Sequence, residues 1–202
     1  PHDPFKSCTV PRPIGWLSTV SANKTCNLAP FSQWQNLTFD PPMVMFAANQ
    51  NIWGQRKDSV INAEETGWFV WNMATYQLRE SVNISAMAVH PEVDEFELAG
   101  VEKGSCIEAP GPSVKESPIQ FECKYLSTTR FPGRTPVGTV DVVFGEVLRI
   151  HIDEKALTND GRVDILGIKP IARMGYYDYT VVDNIFEMKI PAGSEEELAG
   201  LE

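Results

Sequence analysis

Runs of residues that favour extended backbone dominate this chain, and they do not alternate with helical segments. Ile14 to Val20, Met43 to Ala48, Trp68 to Met73, Ile119 to Thr129 and Thr139 to Ile152 are rich in β-branched and aromatic residues and read as strands. Leu28 to Phe39 mixes apolar and polar residues and reads as one or two short strands, closed by Pro41-Pro42. Met43 to Ala48 is continuously apolar, which predicts a strand buried on both faces. Helical signals are few and short. Asp58 to Glu65 has Asp58 or Ser59 to cap its start and Gly67 just past its end. Tyr76 to Ala88 has helical spacing through Leu78, Val82 and Met87, Asp94 to Ala99 supplies a turn or two, and Glu154 to Leu157 another. A doubly wound parallel sheet needs strand and helix in alternation. The order here predicts a mainly β protein, an antiparallel barrel with short helical insertions. Gly145 interrupts the last long strand and predicts a bulge or a barrel bend.

The chain of 202 residues is expected to be a single domain, 1–202, with its core over about 11–190 and an acidic C-terminal tail. A hydrophobic fraction of 43% fills a core and excludes disorder. Lys+Arg 17 against Asp+Glu 27 gives a net charge of -10. That charge argues against nucleic acid and anionic membranes, whose phosphates repel an acidic surface, but leaves room for a small anion in a local basic pocket. No apolar run is long enough to span a bilayer as a helix; Pro41 to Ala48 is typical. Cys8, Cys26, Cys106 and Cys123 have neither C-x-x-C spacing nor a histidine in metal-site rhythm. They read as ordinary thiols, which points to the cytoplasm; the sequons at Asn23, Asn36 and Asn83 weigh weakly the other way.

Four segments carry candidate chemistry, each with a plain alternative. In Arg56-Lys57-Asp58-Ser59 two cations precede a helix start, and free N–H groups with a positive dipole end suit a phosphate. Such residues also cap ordinary helices. Asn27-Leu28-Ala29-Pro30-Phe31-Ser32 can expose backbone donors and acceptors to the edge of a flat heteroaromatic ring, or can simply end a strand. Arg12-Pro13, with Ser18 and Thr19 beyond, offers a cation for an anion and hydroxyls for a polyol, or only surface groups. Arg173-Met174-Gly175-Tyr176-Tyr177 suggests a close-packed site or aromatic packing at a barrel mouth. Of the histidines, His2 is terminal, His151 lies in a strand, and His90 sits in a loop that can line a pocket. No G-x-G-x-x-G, G-x-x-x-x-G-K-[ST], H-E-x-x-H or G-x-S-x-G occurs. Rossmann, P-loop, zinc-protease and α/β-hydrolase chemistry therefore lose support.

Taken in order, these segments resemble the flavin reductase-like family of FMN-binding split barrels. Pro11 to Ser21 resembles that family's opening strand, and Asn27 to Ser32, Asp40-Pro41-Pro42 and Val44-Met45-Phe46 follow in its order. Lys57-Asp58-Ser59, Asn62, Glu65-Thr66-Gly67, Phe69-Val70 and Asn72 match the next block, and Asp94-Glu95-Phe96, Ala99-Gly100 and Pro170 to Gly175 later ones. The resemblance runs from about residue 11 to 177. It implies a split β-barrel that dimerises and holds FMN near the subunit interface. It implies that backbone groups of Asn27, Leu28, Ala29, Pro30 and Ser32 meet the isoalloxazine edge. Arg12, Ser18, Thr19, Asn49, Lys57, Asp58 and Ser59 would surround the ribityl chain and phosphate, with His90 and Arg173 towards the nicotinamide side. The implied activity is hydride transfer from NAD(P)H to FMN; the alternative is an FMN-binding electron carrier reduced by a protein partner. No catalytic acid or base and no metal ligand is implied. The sequence departs from the family in three places: Ser59 where Thr is common, Asn23-Lys24 where a turn often has Asp-Gly, and Met174-Gly175 in place of a double glycine.

Overall fold

The computed structural model describes residues 4–188. In chain order its elements are α1 (Phe5–Cys8), β1 (Arg12–Pro13), β2 (Gly15–Val20), β3 (Cys26–Phe31), β4 (Trp34–Phe39), β5 (Pro42–Asn49), α2 (Asp58–Thr66) and β6 (Trp68–Asn72). They continue with α3 (Arg79–Ile84), α4 (Glu95–Ala99), β7 (Lys103–Gly104), β8 (Ser113–Val114), β9 (Ile119–Phe131) and β10 (Val140–Ile152). The last are α5 (Ile165–Ile168), β11 (Ile171–Arg173) and β12 (Tyr179–Val181). The acidic tail from Gly193 lies outside the described residues. No helix among the described residues is long and apolar enough to cross a membrane.

One seven-stranded antiparallel sheet, in the order β3-β2-β6-β9-β10-β5-β4, forms the body of the fold. Its outermost strands, β3 and β4, are consecutive in the chain with only Ser32 and Gln33 between them. The sheet therefore has to curl until its ends meet at that corner, where the Ala47 N–H donates to Gln33 O at 2.9 Å. β3 and β4 do not pair with each other, so the barrel stays split along that seam. The interior is an aromatic stack. Trp34 and Trp71 lie parallel with centroids 5.6 Å apart, Phe46 meets Phe69 edge-on at 5.3 Å, and Phe121 tilts against Trp71 at 4.5 Å. Leu17, Val44, Val143 and Val147 fill the spaces, and Val60 and Ala63 of α2 close one end.

A second apolar cluster lies outside the barrel wall, where Trp16 and Leu28 pack with Val82 of α3, Phe96 and Ala99 of α4, Val114 and Ile171. This cluster explains why β2 is buried at every position. Met43 to Ala48 behaves otherwise than expected. It alternates, with Val44, Phe46 and Ala48 inside and Met43, Met45 and Ala47 half-exposed, because no helix among the described residues covers the outer face of β5. The helix expected over Tyr76 to Ala88 shrinks to α3. The Tyr76 N–H is taken by Lys169 O, and Trp16 Nε1 donates to the Ser85 hydroxyl at 2.9 Å just past the helix end.

Turns follow the local chemistry. Gly67 ends α2 with φ 79°, its N–H on Ala63 O, and Gly100 ends α4 with φ 66°. Lys24 takes φ 67° in the β2–β3 turn, so a lysine adopts the left-handed conformation there without a glycine. Outside the barrel, the buried Glu122 carboxylate of β9 accepts from the backbone N–H groups of Ile107, Glu108 and Ala109 and sits 2.5 Å from His151 Nε2. Burial alone would raise this carboxyl; the amide and imidazole bonds outweigh it and bring it down to about 2.

Gly145 marks the expected bulge. Phe144 pairs with Ser127 but Gly145 with Tyr125, so Leu126 is the extra residue. A Cβ on Gly145 would stand 2.5 Å from Phe69 Cζ and 3.2 Å from Lys124 O. Gly145→Ala is therefore expected to destabilise the fold by about 1–3 kcal/mol through overpacking. Urea unfolding checks this, and a loss below about 0.5 kcal/mol would show that the aromatic stack yields freely.

Candidate functional site

The polar residues of β2, β3 and α2 converge at the seam of the barrel. Thr19 and Asn27 are cross-strand partners. Asn27 Nδ2 donates to Ser59 Oγ at 2.9 Å, and Asn62 Nδ2 donates to Thr19 Oγ1 at 3.0 Å. All four side chains are buried, and these bonds replace the water they lose. Lys57 is the N-cap residue of α2, extended at φ -75° and ψ 141°, and neither Asp58 nor Ser59 caps the helix as the sequence suggests. The N–H groups of Val60 and Ile61 both point to Lys57 O. Ser59 is turned inward instead, with its oxygen held by Asn27, which leaves the hydroxyl proton to be donated. Lys57 is exposed and makes no ion pair among the described residues. Burial raises the Asp58 carboxyl, and the neighbouring Lys57 partly offsets this.

Arg56 is placed differently from its neighbour Lys57. Its Nη1 and Nη2 donate to Glu64 at 2.7 and 2.5 Å, and its Nε donates to Asp141 Oδ2 at 2.9 Å. Arg130 holds the other side of Asp141 at 2.7 Å. Arg56 is thus occupied by carboxylates, and Lys57 is the cation of the pair left at the helix start.

Along the outer edge of β3, the Leu28 N–H donates to Glu95 Oε2 at 3.1 Å. Glu95 is buried, and its carboxyl is raised by desolvation against the lowering effect of that bond. Leu28 therefore already has a partner for the amide expected to meet a flat ring. Ala29, Pro30 and Ser32 are half-buried further along the same seam. Asn49 ends β5 near this corner, its Nδ2 on Val137 O at 3.1 Å.

Ser18, Arg12 and Arg173 lie apart from this group. Ser18 faces the opposite side of β2 from Thr19, donating to Pro112 O at 2.6 Å and accepting from Asn72 Nδ2 at 3.1 Å. Arg12 and Arg173 pair across β1 and β11 in a separate three-stranded sheet. There Arg12 reaches Thr9 O at 2.9 Å, and Arg173 bonds Tyr176 O and lies over the Tyr179 ring at 4.6 Å. His90 is exposed beside Glu92, within electrostatic reach of Asp58. Two open clefts lie elsewhere. One of about 360 Å³ runs between α3 and β12, lined by Tyr76, Arg79, Tyr177 and Tyr179, and the other lies around Thr75 and Lys169.

Sequence reasoning passed over Asn62, Glu95 and Asp141 as site-forming residues. Asp141 did carry a signal, a lone carboxylate between Val140 and Val142 in a strand, as did Glu122 between Phe121 and Cys123. Nothing local marks Glu95 among the acidic residues of its segment.

Because the folded chain holds the Glu95 proton to higher pH than the unfolded chain does, stability falls as pH rises from the unfolded value, about 4.3, through the raised folded one. Glu95→Gln keeps an oxygen for the Leu28 amide and removes the buried charge. The variant is expected to match or exceed the native chain by about 1 kcal/mol at pH 7, the difference vanishing below about pH 4. Denaturant titrations at several pH values check this; a variant clearly weaker at pH 7 would mean that the charged carboxylate is favourable where it stands.

The relatives agree with this architecture. Residues 7–180 match the family model described as Flavin reductase like domain. An uncharacterized protein of Aquifex aeolicus is 35% identical over 170 residues, covering 83% of this chain and 84% of its own. The crystal structure of nitrilotriacetate monooxygenase component B from Bacillus cereus superposes with a TM-score of 0.85 at 28% identity, covering 91% of this chain and 90% of that one. Pseudomonas fluorescens 2-nitrobenzoate 2-nitroreductase shares the fold, with a TM-score of 0.81 at 23% identity and coverage of 95% and 91%. With a seven-stranded split barrel and a family match over residues 7–180, the chain belongs to the flavin reductase-like family.

Proposed function

We propose that this chain binds FMN along the barrel seam and works as an NAD(P)H-dependent flavin oxidoreductase. The observation that carries the reading is the start of α2. A helix N-terminus, Lys57 with no ion pair among the described residues, and a Ser59 hydroxyl whose oxygen is held by Asn27 stand together beside the open edge of β3. These groups fit a phosphate dianion. The neutral amides and hydroxyl of Asn27, Asn49 and Thr19 fit a polyol, and with the Leu28 amide already on Glu95 the edge from Ala29 and Pro30 to Ser32 is the part left for a flat ring. Asp58 sits at the same helix start, its carboxyl raised by burial and partly offset by Lys57. When bound, FMN supplies the ring that accepts a hydride. The protein orients it and keeps water from its buried face.

The nicotinamide nucleotide meets the exposed side of the seam, where His90 stands; Arg173 is already engaged with Tyr176 and Tyr179. Two copies associate in this reading. Exposed Leu37 and Phe39 on β4, Leu126 on β9 and Leu148 and Ile150 on β10 support a homodimer, since so many large apolar groups on one sheet are costly to leave in water.

Visible absorbance after gel filtration with added FMN tests the reading. Flavin bands that travel with the protein and bleach anaerobically with NADH or NADPH are expected. Bands that bleach only with dithionite would instead make this an electron carrier reduced by another protein, and a colourless protein would sink the FMN reading. Ser59→Ala removes a hydrogen bond to a charged group, about 1.5–3 kcal/mol, and is expected to weaken FMN binding roughly ten- to a hundredfold in fluorescence titrations.

A further inference from the structure

The chain enters α2 through an ion network that has no counterpart at the other helices among the described residues. Arg56 grips Glu64, near the far end of α2, with two N–H groups, and grips Asp141 on β10 with its third. Asp141 is 1% exposed and is held from its other side by Arg130 of β9 at 2.7 and 3.2 Å, its cross-strand partner. Two cations and two carboxylates thus cancel, and the residue before Lys57 is pinned both to its own helix and to the barrel wall. Burial alone would raise the Asp141 carboxyl, but the bonds from Arg130 and Arg56 hold it below its usual range. For Arg56 to swing out to an anion, it would leave Glu64 unpaired and a buried Asp141 with half its partners, which is strongly unfavourable.

We infer that Arg56 is a positioning residue: the clamp it forms with Glu64, Asp141 and Arg130 sets the α2 N-terminus, Lys57 and Ser59 as a phosphate seat and makes the chain prefer FMN to riboflavin. This inference rests on the FMN reading above. Among the described residues the clamp's ion pairs run only between the start of α2, Glu64 within α2, and β9 and β10, so it is expected to act on the phosphate end.

The test compares FMN and riboflavin binding by flavin fluorescence in the full chain, with thermal unfolding alongside. In Asp141→Asn and Arg56→Gln, FMN affinity is expected to fall by about tenfold or more, the scale of a misplaced positioning contact, while riboflavin affinity stays unchanged. Glu64→Gln breaks only the part of the clamp nearer solvent and keeps the Asp141–Arg130 pair, so it reports even where the Asp141 variant does not fold. Arg56→Lys keeps the charge but loses the fork that holds both carboxylates, and is expected to behave like Arg56→Gln. Equal losses for both flavins, unchanged FMN binding, full rescue by Lys, or a wild-type chain with no preference for FMN would each overturn the inference. A wild-type chain that holds neither flavin would overturn the FMN reading beneath it.

Discussion

The two-residue connection between β3 and β4 is the constraint on which the rest of the structure depends. It makes the first and last strands of the sheet neighbours in the chain, so the sheet can only be satisfied by curling. Strand twist favours that curl, and the bulge at Gly145 tightens it where Phe69 needs room. The same connection prevents full closure. β3 and β4 diverge instead of pairing, and a row of backbone groups on the outer edge of β3 remains outside the ladder. In most proteins such an edge is a hazard to be covered. Here α4 covers part of it through Glu95, and the remainder opens towards the start of α2.

The seam carries an energetic cost that the surrounding structure offsets. Thr19, Asn27, Ser59 and Asn62 are buried polar groups, each worth little when paired and expensive when not. Their mutual hydrogen bonds make that region rigid. The carboxylates of Glu122 and Asp141 do the same at the barrel wall, one by gathering the amides of residues 107–109, the other by gathering two guanidinium groups. These networks add less to stability than apolar replacements of the same shape would. What they provide is a single arrangement: the 101–118 segment against β9, and α2 against the β9–β10 hairpin. Preorganisation of that kind is what a site needs if it is to hold a flexible phosphorylated ligand without reordering itself on binding.

Much of this was legible in the chain itself. The strands and α2 could be read because their signals are local: β-branched and aromatic runs, a glycine after a helix, a glycine inside a long strand. The polar candidates Asn27, Lys57 and Ser59 could be named for the same reason. Which face each residue would present could not. β2 is buried on both sides, so Ser18 and Thr19, adjacent and chemically alike, go to opposite networks, one behind the wall with Asn72 and Pro112, the other at the seam with Asn62. β5, a continuously apolar run, proved buried on one face and half-exposed on the other, where no described helix packs against it.

Arg56 and Lys57 show where the boundary falls. Adjacent in sequence, both look like phosphate-binding cations before a helix. The sequence by itself determined that two positive charges and a helix start would lie together, because that depends only on neighbours along the chain. Only the tertiary structure decided that Arg56 would be neutralised while Lys57 keeps no ion pair among the described residues, because Asp141 comes from a strand 85 residues away and meets Arg56 only when the barrel curls. Long-range electrostatics is decided by packing, and packing here is decided by how the sheet closes.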